Sequence, residues 1–223
     1  MKYSRQTKLK FMQEDFQELV RDKKIVLVGC GGVGSVLGEL LVRGGFLNLT
    51  LIDNDIIDET NLQRQNFKQM DIGKIKSVAL RDVLKEIDGE VDVEIFKDVL
   101  CKENIEEICN NSSLIIDATD NFETRRLINT YCEDKEKDWL YNGAVKTEVI
   151  SCMFYGVDKL FSKVFSKEVK DESCCDVGVL ASTTYTSASI AYNKILKYFL
   201  NEKDYTLIKL DLWTNKIFEV KIK

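Results

Sequence analysis

Glycines 29, 31 and 34, in the stretch "GCGGVG", stand between the apolar run "KKIVLV" and the segment "SVLGELLVRGG". Glycines so spaced let backbone N–H groups approach an anion at the start of a helix, where the aligned peptide dipoles add attraction. Asp53 ends the next apolar run, 19 residues after Gly34, where a carboxylate meets a ribose hydroxyl in dinucleotide-binding folds. The chemistry on offer is nucleotide binding, with phosphates on the glycines and the sugar on the acid. A bare strand-to-helix turn would explain the glycines alone. It leaves the placement of the acid unexplained.

The residues downstream of Asp53 bear on the reaction. "DNDIIDETNLQRQNF" and then "DIGKIKSVAL" set Asn61, Arg64, Gln65 and Lys76 behind the strand whose end faces the ligand. Hydride transfer usually needs a catalytic domain with its own acid or base, and little chain remains to build one. Cations in this place suit a triphosphate better than a nicotinamide. The chain has no histidine. That removes the usual general base near neutral pH, the Ser–His and Cys–His nucleophile pairs, and the commonest zinc ligand.

Composition sets outer bounds. The 223 residues suffice for one sizeable domain with a buried core. A formal net charge of −5 argues against wholesale nucleic-acid binding, which needs a basic face. No run approaches the length of a bilayer span, and "MKYSRQTKLKF" has no apolar stretch behind its basic residues, so a cytoplasmic protein is expected. The seven cysteines are odd in number and lack any C-x-x-C pair; they read as reduced thiols, most of them small core residues.

The elements that must position these residues emerge from apolar spacing. An extended arm leads to an amphipathic helix over about 11–20. "KIVLVG" (24–29) and "LTLID" (49–53) are buried strands flanking a helix that ends at Gly44–Gly45. A helix near 76–88, a strand at 91–96, a helix near 102–110 and the strand "SLIIDAT" (113–119) repeat the alternation. A helix over about 122–134 precedes strands at 139–145 and 149–156. Residues 158–180 are looser; a helix over 182–200 and a hairpin turning at Thr214–Asn215 close the chain. Alternating strands and helices predict an α/β fold with a mostly parallel sheet flanked by helices and antiparallel C-terminal strands. The chain reads as one domain, 1–223, with an N-terminal arm (1–22), a nucleotide-binding core (23–145) and a C-terminal part (146–223).

The motifs "YSRQ" (3–6), "GCGGVGS" (29–35), "DNDIID" (53–58), "TNLQRQ" (60–65), "GKIK" (73–76) and "DATDN" (117–121) fall in an order that resembles the ThiF/MoeB/HesA family, the ubiquitin-activating-enzyme-like adenylyltransferases. The resemblance covers essentially the whole chain and is tightest over 24–122. It implies a Rossmann-like fold and ATP-dependent adenylation of the C-terminal carboxylate of a small ubiquitin-like or sulfur-carrier protein, releasing pyrophosphate. By the same resemblance, Gly31, Gly32 and Gly34 would hug the nucleotide, Asp53 would hold the ribose, and Asp55 and Gln65 would lie in the nucleotide site. Asn61, Arg64 and Lys76 would contact phosphates, and Asp120 would bind Mg²⁺ with Asn121 beside it. Arg5 matches an arginine that reaches into a neighbouring subunit's site, which implies a homodimer.

The pattern also breaks. Many relatives carry two C-x-x-C pairs that hold a structural zinc; neither is present here, so zinc is not expected. The segment before "SCCDVGVLAS" (173–182) is short, and Cys174 or Cys175 is either a reactive thiol or an ordinary one. Three alternatives stand beside the carrier-protein reading: a ribosomal peptide as acceptor, a tRNA-linked carboxylate, or a non-catalytic scaffold subunit. The acidic balance disfavours the tRNA.

Overall fold

The computed structural model describes residues 2–12, 14–165 and 177–223. Its strands are β1 (Lys24–Val28), β2 (Asn48–Ile52), β3 (Asp92–Phe96), β4 (Leu114–Asp117), β5 (Trp139–Val145), β6 (Glu148–Phe154), β7 (Thr206–Asp211) and β8 (Lys216–Lys221). All join one eight-stranded sheet in the order β3-β2-β1-β4-β5-β6-β7-β8. The pairs from β3 to β5 are parallel, and those from β5 to β8 are antiparallel. This is the α/β arrangement the alternation predicts. The helices are α1 (Phe16–Arg21), α2 (Gly32–Gly44), α3 (Lys76–Ile87), α4 (Ile105–Cys109), α5 (Phe122–Lys135), α6 (Phe161–Val164) and α7 (Ala181–Phe199).

Two apolar layers hold the sheet. Ile25 and Leu27 of β1 join α1, α2, α3 and α7 in one layer, through Phe16, Leu37, Leu80 and Ile195. Val26 and Val28 face the other way, toward Ile108, Phe122, Ile128 and Phe161 of α4, α5 and α6. A strand covered on both faces must be apolar at every position, which is why "KIVLV" shows no alternation. After β1 the chain steps through β2 to β3, then crosses to β4 on the far side of β1. The strand order reverses between β1 and β4, and a crevice opens there beyond the carboxyl ends of the strands.

Three local readings are corrected. Residues 2–12 are not an extended arm: Gln6 N and Thr7 N donate to Tyr3 O, and Met12 N to Leu9 O, so the segment coils through successive turns. The first helix is confined to Phe16–Arg21. The helix expected from 102 begins only at Ile105, because Asn104 turns its side chain on the preceding loop, accepting from Cys101 N at 2.8 Å and donating to Val99 O at 2.9 Å. The final hairpin turns where expected, with Asn215 in the left-handed region at φ 56°. No helix among the described residues is long and apolar enough to cross a membrane.

Candidate functional site

The crevice at the reversal point is a cleft of about 410 Å³. Gly31, Gly32, Asp53, Asp55, Asn61, Arg64, Gln65, Lys76, Asp120 and Asn121 all line it. Residues spread over 91 positions of sequence (31 to 121) therefore meet around one space.

Asp53 fixes the glycine loop. Its Oδ2 accepts from Cys30 N at 2.7 Å, its Oδ1 accepts from Asp55 N at 2.8 Å, and its own carbonyl accepts from Ser77 Oγ at 2.8 Å. Burial pushes the Asp53 carboxyl above the ordinary carboxylate value; the Cys30 amide and the Lys76 charge oppose that. The neighbouring Cys30 is fully buried and its thiol is driven well upward by burial, so it is no thiolate nucleophile.

The cations are held in place before any ligand arrives. Lys76 opens α3 and its Nζ donates to Asp55 Oδ2 at 2.7 Å. Arg64 Nη1 donates to Thr60 O at 2.9 Å, and the Arg64 carbonyl accepts from Thr184 Oγ1 of α7 at 3.1 Å. Asn61 belongs to a reciprocal cap, its Oδ1 accepting from Asp58 N at 3.1 Å while Asp58 accepts from Thr60 N. Gln65 is buried, and its Oε1 has no hydrogen-bond partner. Asn121 caps α5, its Oδ1 accepting from Glu123 N and Thr124 N, which leaves Asp120 exposed on the cleft wall rather than serving as the cap.

Gly34 and Arg5 do not line this cleft, and the resemblance assigns Arg5 to a neighbouring subunit's site rather than its own. A Cβ on Gly34 would sit 1.9 Å from Gly29 O, so this glycine lets α2 pack against its own loop. Arg5 lies at the opposite end of α2, where its neighbour Gln6 donates to Arg43 O at 3.1 Å. A helix of 13 residues is about 20 Å long, so Arg5 and the glycine loop occupy opposite ends of it. Cys174 and Cys175 fall outside the described residues.

Sequence reasoning misses Thr184 and the pair formed by Asp117 and Arg125. Thr184 stands 120 positions from Arg64, so no local pattern joins them. The Asp117–Arg125 pair leaves a signal: a carboxylate closing an apolar strand is too costly to bury unless a cation stands near.

A parallel sheet with glycines and cations at its switch point defines a Rossmann-type nucleotide cleft. A profile of the ThiF family matches residues 3–223, and the chain belongs to that family. It is 28% identical over 233 residues to the sulfur carrier protein ThiS adenylyltransferase of Bacillus subtilis, covering 99% of this chain and 67% of that protein. It is 30% identical over 189 residues to the molybdopterin-synthase adenylyltransferase of Haemophilus influenzae, covering 81% and 76%. Against the ubiquitin-like modifier-activating enzyme 5 of Drosophila erecta it is 29% identical and spans 52% of that protein's length. The fold is similar to that of Escherichia coli MccB in complex with MccA-N7isoASN: TM-score 0.85 at 20% identity, over 99% of this chain and 71% of that one.

Proposed function

We propose that this chain uses ATP to adenylate the C-terminal carboxylate of a small sulfur-carrier or ubiquitin-like protein, with release of pyrophosphate. One observation carries the reading: Arg64, Lys76, Asp53 and Asp120 converge on a single cleft beside the glycine loop. Relatives that share the chain's family are adenylyltransferases by name, and solved structures of the same fold include MccB with ATP.

The arrangement suits the chemistry. The attacking carboxylate has a pKa of about 4 and is ionised at neutral pH, so no base is required. The obstacle is repulsion between that anion and a polyanion. Cations set in advance lower it, and they stabilise the charge that develops as pyrophosphate leaves. Gly31 and Gly32 give the phosphates close access to backbone N–H groups; Asp53 keeps lone pairs for the ribose while holding the loop.

Magnesium fits the donor set. Among the described residues no group of three or more Cys, Asp or Glu forms a ready metal cage. Magnesium needs none, because it takes one or two carboxylates and completes its shell with phosphate oxygens and water. Asp120 supplies a hard oxygen donor at the cleft wall. The bound ion would neutralise phosphate charge there.

Arg5 is remote from its own cleft, which supports a homodimer in which each arm serves the other subunit. A peptide acceptor is the second reading, favoured by the missing C-x-x-C pairs. Retention of Arg64, Lys76 and Asp120 in one cleft disfavours a non-catalytic scaffold. ATP–pyrophosphate exchange, screened with carrier proteins and peptides of defined C-termini, tests the proposal. Arg64→Ala and Asp120→Ala are each expected to lower exchange about a hundredfold while the fold is kept. Unchanged exchange in either variant removes that residue from the mechanism.

A further inference from the structure

The cleft wall bearing Asp120 is fastened from behind. β4 ends at Asp117, whose side chain is fully buried. Its Oδ1 accepts from Thr119 N at 3.1 Å and from Thr119 Oγ1 at 2.6 Å, and its Oδ2 accepts from Arg125 Nε at 3.0 Å. The same guanidinium donates from Nη2 to Thr119 O at 2.5 Å and stacks 4.7 Å from the centre of the Tyr141 ring. Thr119 is thereby tied through both its N–H and its carbonyl to one buried ion pair.

Two other walls meet this fastening. A Cβ on Gly29 would lie 2.9 Å from Ala118 O, so the turn abuts the glycine loop. A Cβ on Gly143 of β5 would lie 3.4 Å from Arg125 Nη2. Ala118, Thr119, Asp120 and Gly143 line the cleft, whereas Arg125 stands behind them.

We propose that Arg125, together with Asp117, is a positioning residue that sets the 119–121 turn so that Asp120 meets a divalent cation carried by the nucleotide. This rests on the reading of the cleft as a nucleotide site. The charge of Arg125 is matched by Asp117, so the guanidinium stands behind the turn without adding unbalanced positive charge to the cleft. A planar fork can serve a carboxylate and a carbonyl together while lying on an aromatic face; an ammonium is a point charge that cannot do all three. Buried ion pairs add little net stability over apolar replacements, so stability alone gives weak grounds for this one. A displacement of about 1 Å at a reacting centre can cost a hundredfold in rate.

Arg125→Lys and the double variant Asp117→Asn/Arg125→Met separate positioning from folding. The probe is Mn²⁺, titrated by electron paramagnetic resonance onto protein saturated with the ATP analogue AMPCPP, with melting temperature and metal-free AMPCPP affinity measured alongside. Expected is a tenfold or greater rise in the Mn²⁺ dissociation constant for the folded variants, with AMPCPP affinity in EDTA held within twofold. A Mn²⁺ dissociation constant within twofold of wild type in either folded variant overturns the proposal. If wild-type protein binds no AMPCPP, the nucleotide reading itself fails, a result distinguishable from the first.

Discussion

Lys76 and Asp55 are joined twice: Nζ of the lysine donates to Oδ2 of the aspartate at 2.7 Å, and the lysine's backbone N–H donates to the aspartate's carbonyl at 2.8 Å. The lysine side chain is 9% exposed and the aspartate 64%. A cation at the first residue of a helix meets an unfavourable dipole, and Asp55 offsets it. Lys76→Ala should therefore lower pyrophosphate exchange about a hundredfold, as loss of a preplaced charge contact does. Asp55→Asn leaves the cation but loosens its hold and should cost about tenfold, read as a fall in kcat. Equal activities for the two variants would refute this ranking.

Glycines 34 and 38 lie one turn apart on α2, and alanine should be costly at the first and neutral at the second. At Gly34 the new methyl would meet the Gly29 carbonyl at 1.9 Å, a backbone oxygen that cannot turn aside as a side chain can. Overpacking of that kind costs about 1–3 kcal/mol, and more where nothing can move. At Gly38 it would meet only the tip of Leu80 at 3.3 Å. The gain of up to about 1 kcal/mol in helix propensity should offset that crowding. Calorimetry should show a lowered Tm and no ATP-induced shift for Gly34→Ala, and a near-wild-type scan for Gly38→Ala.

Arg5 acting across a dimer predicts complementation. Arg5→Ala and Asp120→Ala proteins, each inactive alone, should regain pyrophosphate exchange when mixed and allowed to exchange subunits. Activity approaching one quarter of wild type is expected, since about a quarter of all sites would then combine an intact arm with an intact cleft. No recovery on mixing would refute action across subunits, and full activity of Arg5→Ala alone would place Arg5 outside the reaction.

Buried Lys194 and half-buried Asp204 form a second pair at 2.9 Å, their side chains 3% and 13% exposed. Burial pulls the Asp204 carboxyl upward, but hydrogen bonds from Lys194 and Thr206 more than offset this and leave it below the ordinary value. A carboxyl depressed in the folded state stabilises above its unfolded pKa of about 4 and loses that contribution as pH falls through the folded value. Urea midpoints should thus drop as pH is lowered below about 4, and Asp204→Asn should flatten the decline. Lys194→Met leaves Asp204 with the Thr206 N–H and the more distant Lys197, and should cost about 1–3 kcal/mol at neutral pH.

Much of the fold is legible in the sequence because the buried strands are short, apolar and bounded by glycine or polar turns. "KIVLV" and "LIID" could hardly be anything else. The early arm escapes such reading because its turns are held by backbone bonds back to Tyr3 and Leu9, which leave no periodic trace. Within the site, residues grouped in motifs are the ones that can be found, since each motif lies on one connection of the sheet. Gly34 attracts a ligand role because a fingerprint cannot distinguish a glycine that admits a phosphate from one that admits a helix. Thr184 stays hidden because its partner, the Arg64 carbonyl, is brought close only by the fold, whereas Arg125 lies eight residues from Asp117 and is betrayed only by the cost of burying that carboxylate.

The bond from Thr184 to the Arg64 carbonyl ties the first half of the chain to its last long helix. A Cβ on Gly32 would meet Thr184 at 2.8 Å, so the same helix also seats the glycine loop. Such distant closures form late, after the loop entropy between them has been overcome. On the ribosome, a chain that has emerged only through its parallel strands still lacks this brace. The glycine loop therefore depends on a helix that is made only after every parallel strand.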